Sequence, residues 1–461
     1  MAIEVVFFPH LIHLSSDGQS PIIFDVKTNR IMEVDYVTAT IIEEAVVQGN
    51  FSDRTYDSAK EMLIIRGVDY SNFDESIELI SSLQKHGLFS EESIQTPGMG
   101  LSPNTYRSVL LNVSSVCQLK CEYCFASGGD YGNAEAPVFM TLEIGKRAID
   151  YFISLFDKTQ SDFNVVFFGG EPLTNWDAIE KLTLYTEEKV KEIGKSVRFN
   201  MTTNAIGITD HIAKFMSEHS FSFLVSIDGN EELHDELRPL ASGEPGSYLK
   251  TVEGISVLKK YFPIINCRAT VTSLETNVTK LEEALISAGG DYNFLNLIHD
   301  EPHSRLMPSW LDVKNFVQSI RKKIQQSSSV TIPTVLEMRD RVENTLIRPW
   351  NCGFGIGSSA VSTDGQIYAC NMVTSDERFH IGSIDEGINF EKVYHLRKKA
   401  NVDRIFGCRS CWLRYLCSGG CTVRNILEIE NVYAPNPYAC YMYKKLFEET
   451  IETILLDQKN G

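Results

Sequence analysis

Cys117-Gln-Leu-Lys-Cys121-Glu-Tyr-Cys124 places three thiols at C-x3-C-x2-C spacing, just after the apolar run Val109-Leu-Leu-Asn-Val113. A short apolar run that gives way to a polar loop reads as a buried strand whose C-terminal end carries the cysteines. Three thiolates this close can hold three corners of a [4Fe–4S] cube and leave the fourth iron without a protein ligand. An iron open on one side is a place where a small molecule can chelate, so the motif points to reaction as well as to support. The competing reading is a zinc or structural cluster site. Zinc takes a fourth ligand close by, and none follows here.

Working outward, further apolar runs alternate with helical stretches. Strands are expected at Val109–Val113, Val165–Phe168, Val197–Met201, Phe221–Ile227, Arg268–Val271 and Phe294–Ile298. Between the first two, Leu142 to Phe156 has an amphipathic helical period, with Thr141 as its cap. Six strands separated by helices imply an α/β fold with a parallel sheet. Polar motifs stand at the strand ends. Phe167-Phe-Gly-Gly-Glu-Pro172 follows the second strand, where Gly169 and Gly170 admit a closely approaching ligand and Glu171 can accept from an amine. Thr202-Thr-Asn204 ends the third strand and Ser226-Ile-Asp-Gly229 the fourth, with Arg238 soon after. Turn formation is the plain alternative for Asn204 and Asp228, and a surface ion pair is the plain alternative for Arg238.

The C-x3-C-x2-C loop followed by Gly-Gly-Glu-Pro resembles the radical S-adenosylmethionine (SAM) superfamily, with Tyr123 in the aromatic position before the third cysteine. The resemblance implies a partial (β/α)6, TIM-like barrel with its chemistry at the C-terminal strand ends. It implies that Gly169, Gly170 and Glu171 hold the amino group of SAM. It further implies that Asn204, Ser226 and Asp228 lie where the ribose and carboxylate are contacted, and that Arg238 pairs with the carboxylate as a charge-assisted fork. SAM would chelate the open iron, and one electron would cleave it to methionine and a 5′-deoxyadenosyl radical that takes a hydrogen atom from substrate.

Ten of the eleven cysteines fall in two groups, and only Cys267, inside an apolar run, is left as a buried structural thiol. The second group reads Cys352-x12-Gly365-x4-Cys370, then Cys408-x2-Cys411-x5-Cys417-x3-Cys421-x18-Cys440. This order is similar to the SPASM domain of peptide- and protein-modifying radical SAM enzymes. The resemblance implies two auxiliary [4Fe–4S] clusters, one on Cys352, Cys370 and Cys421 and one on Cys408, Cys411, Cys417 and Cys440, for three clusters in all. A zinc ribbon at Cys408-x2-Cys411 is the alternative. Relatives that ligate the first auxiliary cluster fully have a cysteine where this chain has Ser358. A hydroxyl is a poor iron ligand, so an open iron able to bind a substrate thiolate is expected there. Sulfatase-maturing relatives place a basic Asp after the cysteine equivalent to Cys370. This chain has Asn371, which takes no proton at neutral pH and so speaks against formylglycine formation.

The chain has 461 residues, enough for about three domains. Residues 1–95 carry two short strands, a helix capped by Asp35 and a helix with Phe73, Ile77 and Ile80 on one face. They resemble a winged-helix-like peptide-recognition domain, which would take a leader peptide as an added strand. A linker is expected at 96–104, rich in Gly and Pro, then the radical SAM core over 105–305. A bridging region over 306–350 and the SPASM domain over 351–461 complete the division. The net charge of −18 argues against a nucleic-acid partner. The N-terminus has no signal-type pattern and no apolar run is long enough to cross a bilayer, which points to the cytoplasm. Eleven cysteines there indicate metal ligation rather than disulfides. The function implied is that of a thioether-forming maturase of sactipeptide or ranthipeptide type, acting on a ribosomal precursor peptide and served by a reductant such as flavodoxin or ferredoxin. Epimerisation or carbon–carbon cross-linking of a peptide is the alternative within enzymes, and a non-catalytic iron–sulfur electron carrier the alternative outside them. No general base can be named from the sequence.

Overall fold

Near the N-terminus the chain runs through β1 (Pro9–His13), β2 (Ile22–Asp25) and β3 (Arg30–Glu33), an antiparallel sheet in that order. Three helices follow: α1 (Tyr36–Gln48), α2 (Asp53–Arg66) and α3 (Phe73–Lys85). The Asp35 side chain accepts from Thr38 N, as its capping position requires, and Gly49 ends α1 in the left-handed conformation. Ile23, Ile41, Ile42, Leu63, Phe73 and Ile80 close a small core. The computed structural model describes residues 9–13, 21–26, 28–89, 106–133, 135, 138–298, 304–325, 330–409, 411–429 and 435–460. The expected linker at 96–104 lies outside them.

The next stretch alternates strand and helix: β4 (Ser108–Ser114), α4 (Leu142–Ser154), β5 (Asp162–Gly169), α5 (Trp176–Glu192), β6 (Ser196–Thr203), α6 (Asp210–Glu218) and β7 (Phe221–Ser226). Then come α7 (Glu231–Leu237), α8 (Ser247–Leu258), β8 (Asn266–Val271), α9 (Val278–Ser287) and β9 (Tyr292–Leu297). All six expected strands are present, and neighbours from β4 to β9 pair in parallel in chain order. Their period-two pattern explains the packing: in β5, Phe163, Val165 and Phe167 are fully buried while their alternates face the other side. The Phe167, Phe199 and Phe221 rings stack at centroid distances of 5.1 to 6.0 Å. Because the strands run one way, the loops after them gather at one rim.

The chain continues through α10 (Trp310–Gln325), β10 (Val330–Thr331), α11 (Pro333–Glu343), β11 (Ser358–Val361), β12 (Gln366–Tyr368), β13 (His380–Ser383) and β14 (Gly387–Ile388). It ends in α12 (Phe390–Ala400), α13 (Arg414–Cys417), α14 (Thr422–Ile429) and α15 (Pro437–Asn460). β10 extends one end of the sheet beside β9. At the other end β11 pairs in parallel with β4, from Ser358 opposite Ser108 to Val361 opposite Leu111, and β12 to β14 continue as antiparallel strands. Among the described residues the result is one eleven-stranded, mostly parallel sheet. A second core joins Ile22, Phe24 and Ile31 of the N-terminal strands, and Val26 just after β2, to Met338, Tyr415, Phe447 and Ile451. No described helix is long and apolar enough to cross a membrane.

Candidate active site

The cysteine loop leaves β4 and is pinned from both sides. Ser115 N donates to Val138 O at 2.8 Å, Lys120 N to Pro239 O at 2.8 Å and Glu122 N to Leu237 O at 3.0 Å. Leu119 is buried beneath it. Each sulfur meets a donor. Leu119 N lies 3.3 Å and Asn204 Nδ2 3.7 Å from Cys117 Sγ. Arg238 Nη1 lies 3.9 Å from Cys121 Sγ, and Gly128 N 3.4 Å from Cys124 Sγ. Donors aimed at sulfur stabilise thiolate and tune a cluster bound to it. Burial and neighbouring acids push the Cys117 thiol up to about 12, and burial, against the pull of Arg238, pushes Cys121 up to about 11. These sulfurs therefore become thiolates only with a cation that neutralises them.

The end of β5 presses on this loop. A Cβ at Gly169 would stand 2.1 Å from Ser114 O, and one at Gly170 2.3 Å from Val116 O. Only glycine fits where two backbones meet so closely. Gly170 N and Glu171 N each donate across the contact, at 2.8 Å. The Glu171 carboxylate is buried and already bonded: Leu173 N and Thr203 Oγ1 donate to Oε1 at 3.1 and 2.8 Å, and Asn204 N to Oε2 at 2.7 Å. Burial pushes its pKa up to about 7 despite these bonds. Its geometry fastens the ends of β5 and β6 together.

On the opposite wall Asp228 is fully buried and receives three donors. Arg238 Nε donates at 2.7 Å with Nη2 at 3.4 Å, Thr270 N donates at 2.8 Å, and the Tyr123 hydroxyl donates through a short bond. The Arg238 guanidinium lies 5.4 Å from the Tyr123 ring centroid. Burial would raise the Asp228 carboxyl, but the Arg238 charge overrides it and holds the group below the usual carboxylate range. Arg238 is thus a buried ion-pair partner, not the surface pair that the sequence left open.

Between these walls is a cavity of about 220 Å³. Of the expected residues, Cys117, Tyr123, Gly169, Glu171, Asn204, Ser226 and Arg238 line it, together with Cys121, Cys124 and Gly170. Asp228 stands behind the wall. The cavity also takes Arg268, Thr270 and Asn296 from β8 and β9 and Arg424 from α14, none of which the sequence reading singled out. The available signal was alternation: Cys267, Ala269 and Val271 are buried against the helices, so Arg268 and Thr270 face the other way.

The seven cysteines of the second group approach one another in two sets. Burial pushes Cys370 up to about 12, and Cys421 and Cys352 add to the shift. Burial likewise pushes Cys408 up to about 12, with Cys440 and Cys411 adding, and Cys417 feels all three. Among the described residues no three His, Cys, Asp or Glu side chains close tightly enough for one metal ion. Ser358 opens β11 and is half-buried, close to Gly353. Asn371 Oδ1 lies 3.7 Å from Cys370 Sγ.

Residues 111–288 match the family model described as the radical SAM superfamily. The chain is 25% identical over 372 residues to a cysteine-type anaerobic sulfatase-maturating enzyme of Clostridium novyi, covering 74% of this chain and 94% of the relative. It is 26% identical to the radical SAM cyclopropyl synthase TigE of Paramaledivibacter caminithermalis over 75% of this chain and 74% of TigE. An uncharacterized protein of Methanocaldococcus jannaschii is 32% identical, but the match spans only about half, 54%, of that relative and 37% of this chain. Among solved structures, native anSMEcpe with bound AdoMet superposes with a TM-score of 0.66 at 22% identity, covering 77% of this chain and 99% of the other. Streptococcus suis SuiB superposes at 0.53 and 15% identity, covering 95% and 99%. At these identities the superpositions establish the fold.

Proposed function

Since residues 111–288 form a radical SAM domain homologous to peptide-modifying enzymes, we propose that this protein is a maturase that joins a cysteine sulfur to carbon in a ribosomal precursor peptide. The observation that carries the reading is the cavity, where the loop of Cys117, Cys121 and Cys124 faces Gly170, Glu171, Asn204, Ser226 and Arg238. A bound cluster with SAM supplies one-electron cleavage and a radical able to take hydrogen from an unactivated carbon. The chain's own residues do the rest. The three cysteines would hold the cluster. Gly169 and Gly170 bring backbone beside the amino group, Glu171 and Asn204 fix the rim, and the Asp228–Arg238 pair stiffens the wall. Phe125 and Phe168, stacked with centroids 6.3 Å apart, give the cavity an aromatic lining.

In this reading the strands β4 to β9 form a partial (β/α)6 barrel. Residues 1–95 bind the leader, 306–350 bridge, and 351–461 form a SPASM domain. Cys352, Cys370 and Cys421 hold one auxiliary cluster; Cys408, Cys411, Cys417 and Cys440 hold the other. Ser358, where a fourth thiolate would stand, leaves the first auxiliary cluster open to a substrate cysteine. A reductant such as flavodoxin or ferredoxin supplies electrons. Solved relatives are described with peptides, SuiB with precursor peptide SuiA and anSMEcpe with a Kp18Cys peptide, which favours a peptide substrate. Asn371 next to Cys370 offers no base, which sets this chain apart from formylglycine chemistry.

The test is anaerobic turnover of iron- and sulfide-loaded enzyme on a cysteine-bearing precursor peptide. The expected product is lighter by two hydrogens and no longer alkylated at cysteine. Ser358→Cys is expected to keep 5′-deoxyadenosine formation and lose the cross-link. The likeness to TigE favours carbon–carbon bond formation as the second reading. A product lighter by two hydrogens whose thiol still alkylates would select it and reject thioether formation.

A further inference from the structure

We infer that Arg397 is the fixed counter-charge of the first auxiliary cluster and holds that cluster's reduction potential up. The inference rests on the reading above, which puts the cluster on Cys352, Cys370 and Cys421. It goes beyond that reading by giving a redox role to an arginine that belongs to no motif.

Arg397 stands in the last turn of α12 and is only 8% exposed. Its Nη1 donates to Cys352 O at 3.3 Å and to Phe354 O at 3.2 Å. The Trp350 ring lies over the guanidinium, with Cζ 4.6 Å from the centroid, and Trp350 Nε1 donates to Arg397 O at 2.9 Å. The side chain is thus clasped against the loop that carries Cys352. Its Nε is buried with no hydrogen-bond partner.

Every acceptor that Arg397 has is a neutral carbonyl. The ionisable groups whose charge reaches it are Cys352 and Tyr106. Tyr106 is fully buried, its hydroxyl donates to Gly355 O at 2.8 Å, and burial pushes its pKa up, so it stays neutral. The acids on and after the same helix are engaged elsewhere. Glu391 faces His395, and Asp403 accepts from the Tyr415 hydroxyl at 2.9 Å and lies 3.9 Å from Arg414. The chain has 61 acidic residues, yet among the described residues none pairs with Arg397. A buried guanidinium without an anion is costly. The place left for the missing charge is Cys352 and what assembles on it.

An iron–sulfur cube held by thiolates is that anion, and reduction makes it more negative by one. A cation fixed beside it in a low dielectric favours the reduced form. In the reading above, a carbon radical and a substrate thiolate form one C–S bond and release one electron. Arg397 then stabilises the place where that electron arrives. A planar guanidinium suits the position because it reaches two carbonyls at once and keeps its charge in burial.

The experiment is an anaerobic redox titration of the iron- and sulfide-loaded full chain, followed by electron paramagnetic resonance. The signal of interest is the one lost in Cys370→Ala. Arg397→Gln keeps a donor for the carbonyls and removes the charge. At a fixed potential it is expected to lower that cluster's reduced-to-oxidised ratio about tenfold, equal to about 59 mV for one electron. The other clusters should stay within about twofold. Arg397→Lys keeps the charge and is expected to stay within about twofold of wild type, and it decides the question if the Gln variant loses iron. An unchanged ratio in the Gln variant, or a tenfold fall in the Lys variant, overturns the assignment. A wild-type chain that loads a cluster only at Cys117, Cys121 and Cys124 would instead sink the auxiliary-cluster reading itself.

Discussion

Asp228 shows how a single carboxylate can organise a wall that it does not line. It joins the cysteine loop through Tyr123, β8 through Thr270 N and the segment after α7 through Arg238. Removing its charge leaves Arg238 buried without an anion, and breaking one side of a buried pair is expensive. Asp228→Asn is expected to lower unfolding free energy by roughly 3 to 5 kcal/mol in denaturant titrations. His234, beside it, accepts from Asp228 N through Nδ1 at 3.2 Å and is fully buried. Burial first, then the Arg238 charge, depress its pKa to about 4. A histidine held neutral in the folded state favours folding fully above its unfolded pKa of about 6.5, and that contribution is lost as pH falls toward 4. Thermal melts of wild type should therefore drop between pH 6.5 and 4 by more than those of His234→Gln, a difference of roughly 3 kcal/mol at the low end. Residue by residue, the sequence was most legible where chemistry is rare. Cysteines at fixed spacing and paired glycines stand out in any chain, whereas Arg268 and Asn296 are ordinary residues whose meaning comes from the neighbours across the strand.

At the scale of elements, the six parallel strands could be read in advance because each is an apolar run closed by a polar turn. α4 was legible to its cap: the Thr141 side chain accepts from Ile144 N at 3.2 Å. Thr141→Ala is expected to lower stability by about 1 kcal/mol, measurable by denaturant unfolding. α2 escaped notice because it buries only Thr55, Ala59 and Leu63, too thin a stripe to stand out. The short strands β11 to β14 escaped because cysteine spacing dominated that region and because β11 finds its partner about 250 residues earlier, in β4. No local period encodes such a pairing. Backbone contact at the end of β5 gives a sharper test. Gly170→Ala would drive a methyl into Val116 O, so the cysteine loop must move. Lower iron content per chain after reconstitution, with the overall circular dichroism kept, is the expected result.

For the whole molecule, the parallel pairing of β4 with β11 means that the cysteine-rich end of the chain is built into the sheet that carries the cavity. A chain cut before residue 351 would bare the β4 edge, and a long bare edge invites pairing with other molecules. Such a truncation is expected to elute as soluble aggregate or to precipitate, read by size-exclusion chromatography. A cleanly monomeric product would show that β11 covers nothing important. Arg341, 1% exposed, holds the two parts further by donating to Leu416 O at 2.5 Å and Ser418 Oγ at 2.7 Å.

The core that joins Phe24 and Ile31 to Phe447 and Ile451 sets an order on biosynthesis. A ribosome adding about 5 to 20 residues per second must work for tens of seconds after making β2 before the helix that covers it has emerged. Through that interval the first sheet shows an oily face to solvent, so nascent chains of this protein should be clients of ribosome-associated chaperones until α15 has emerged.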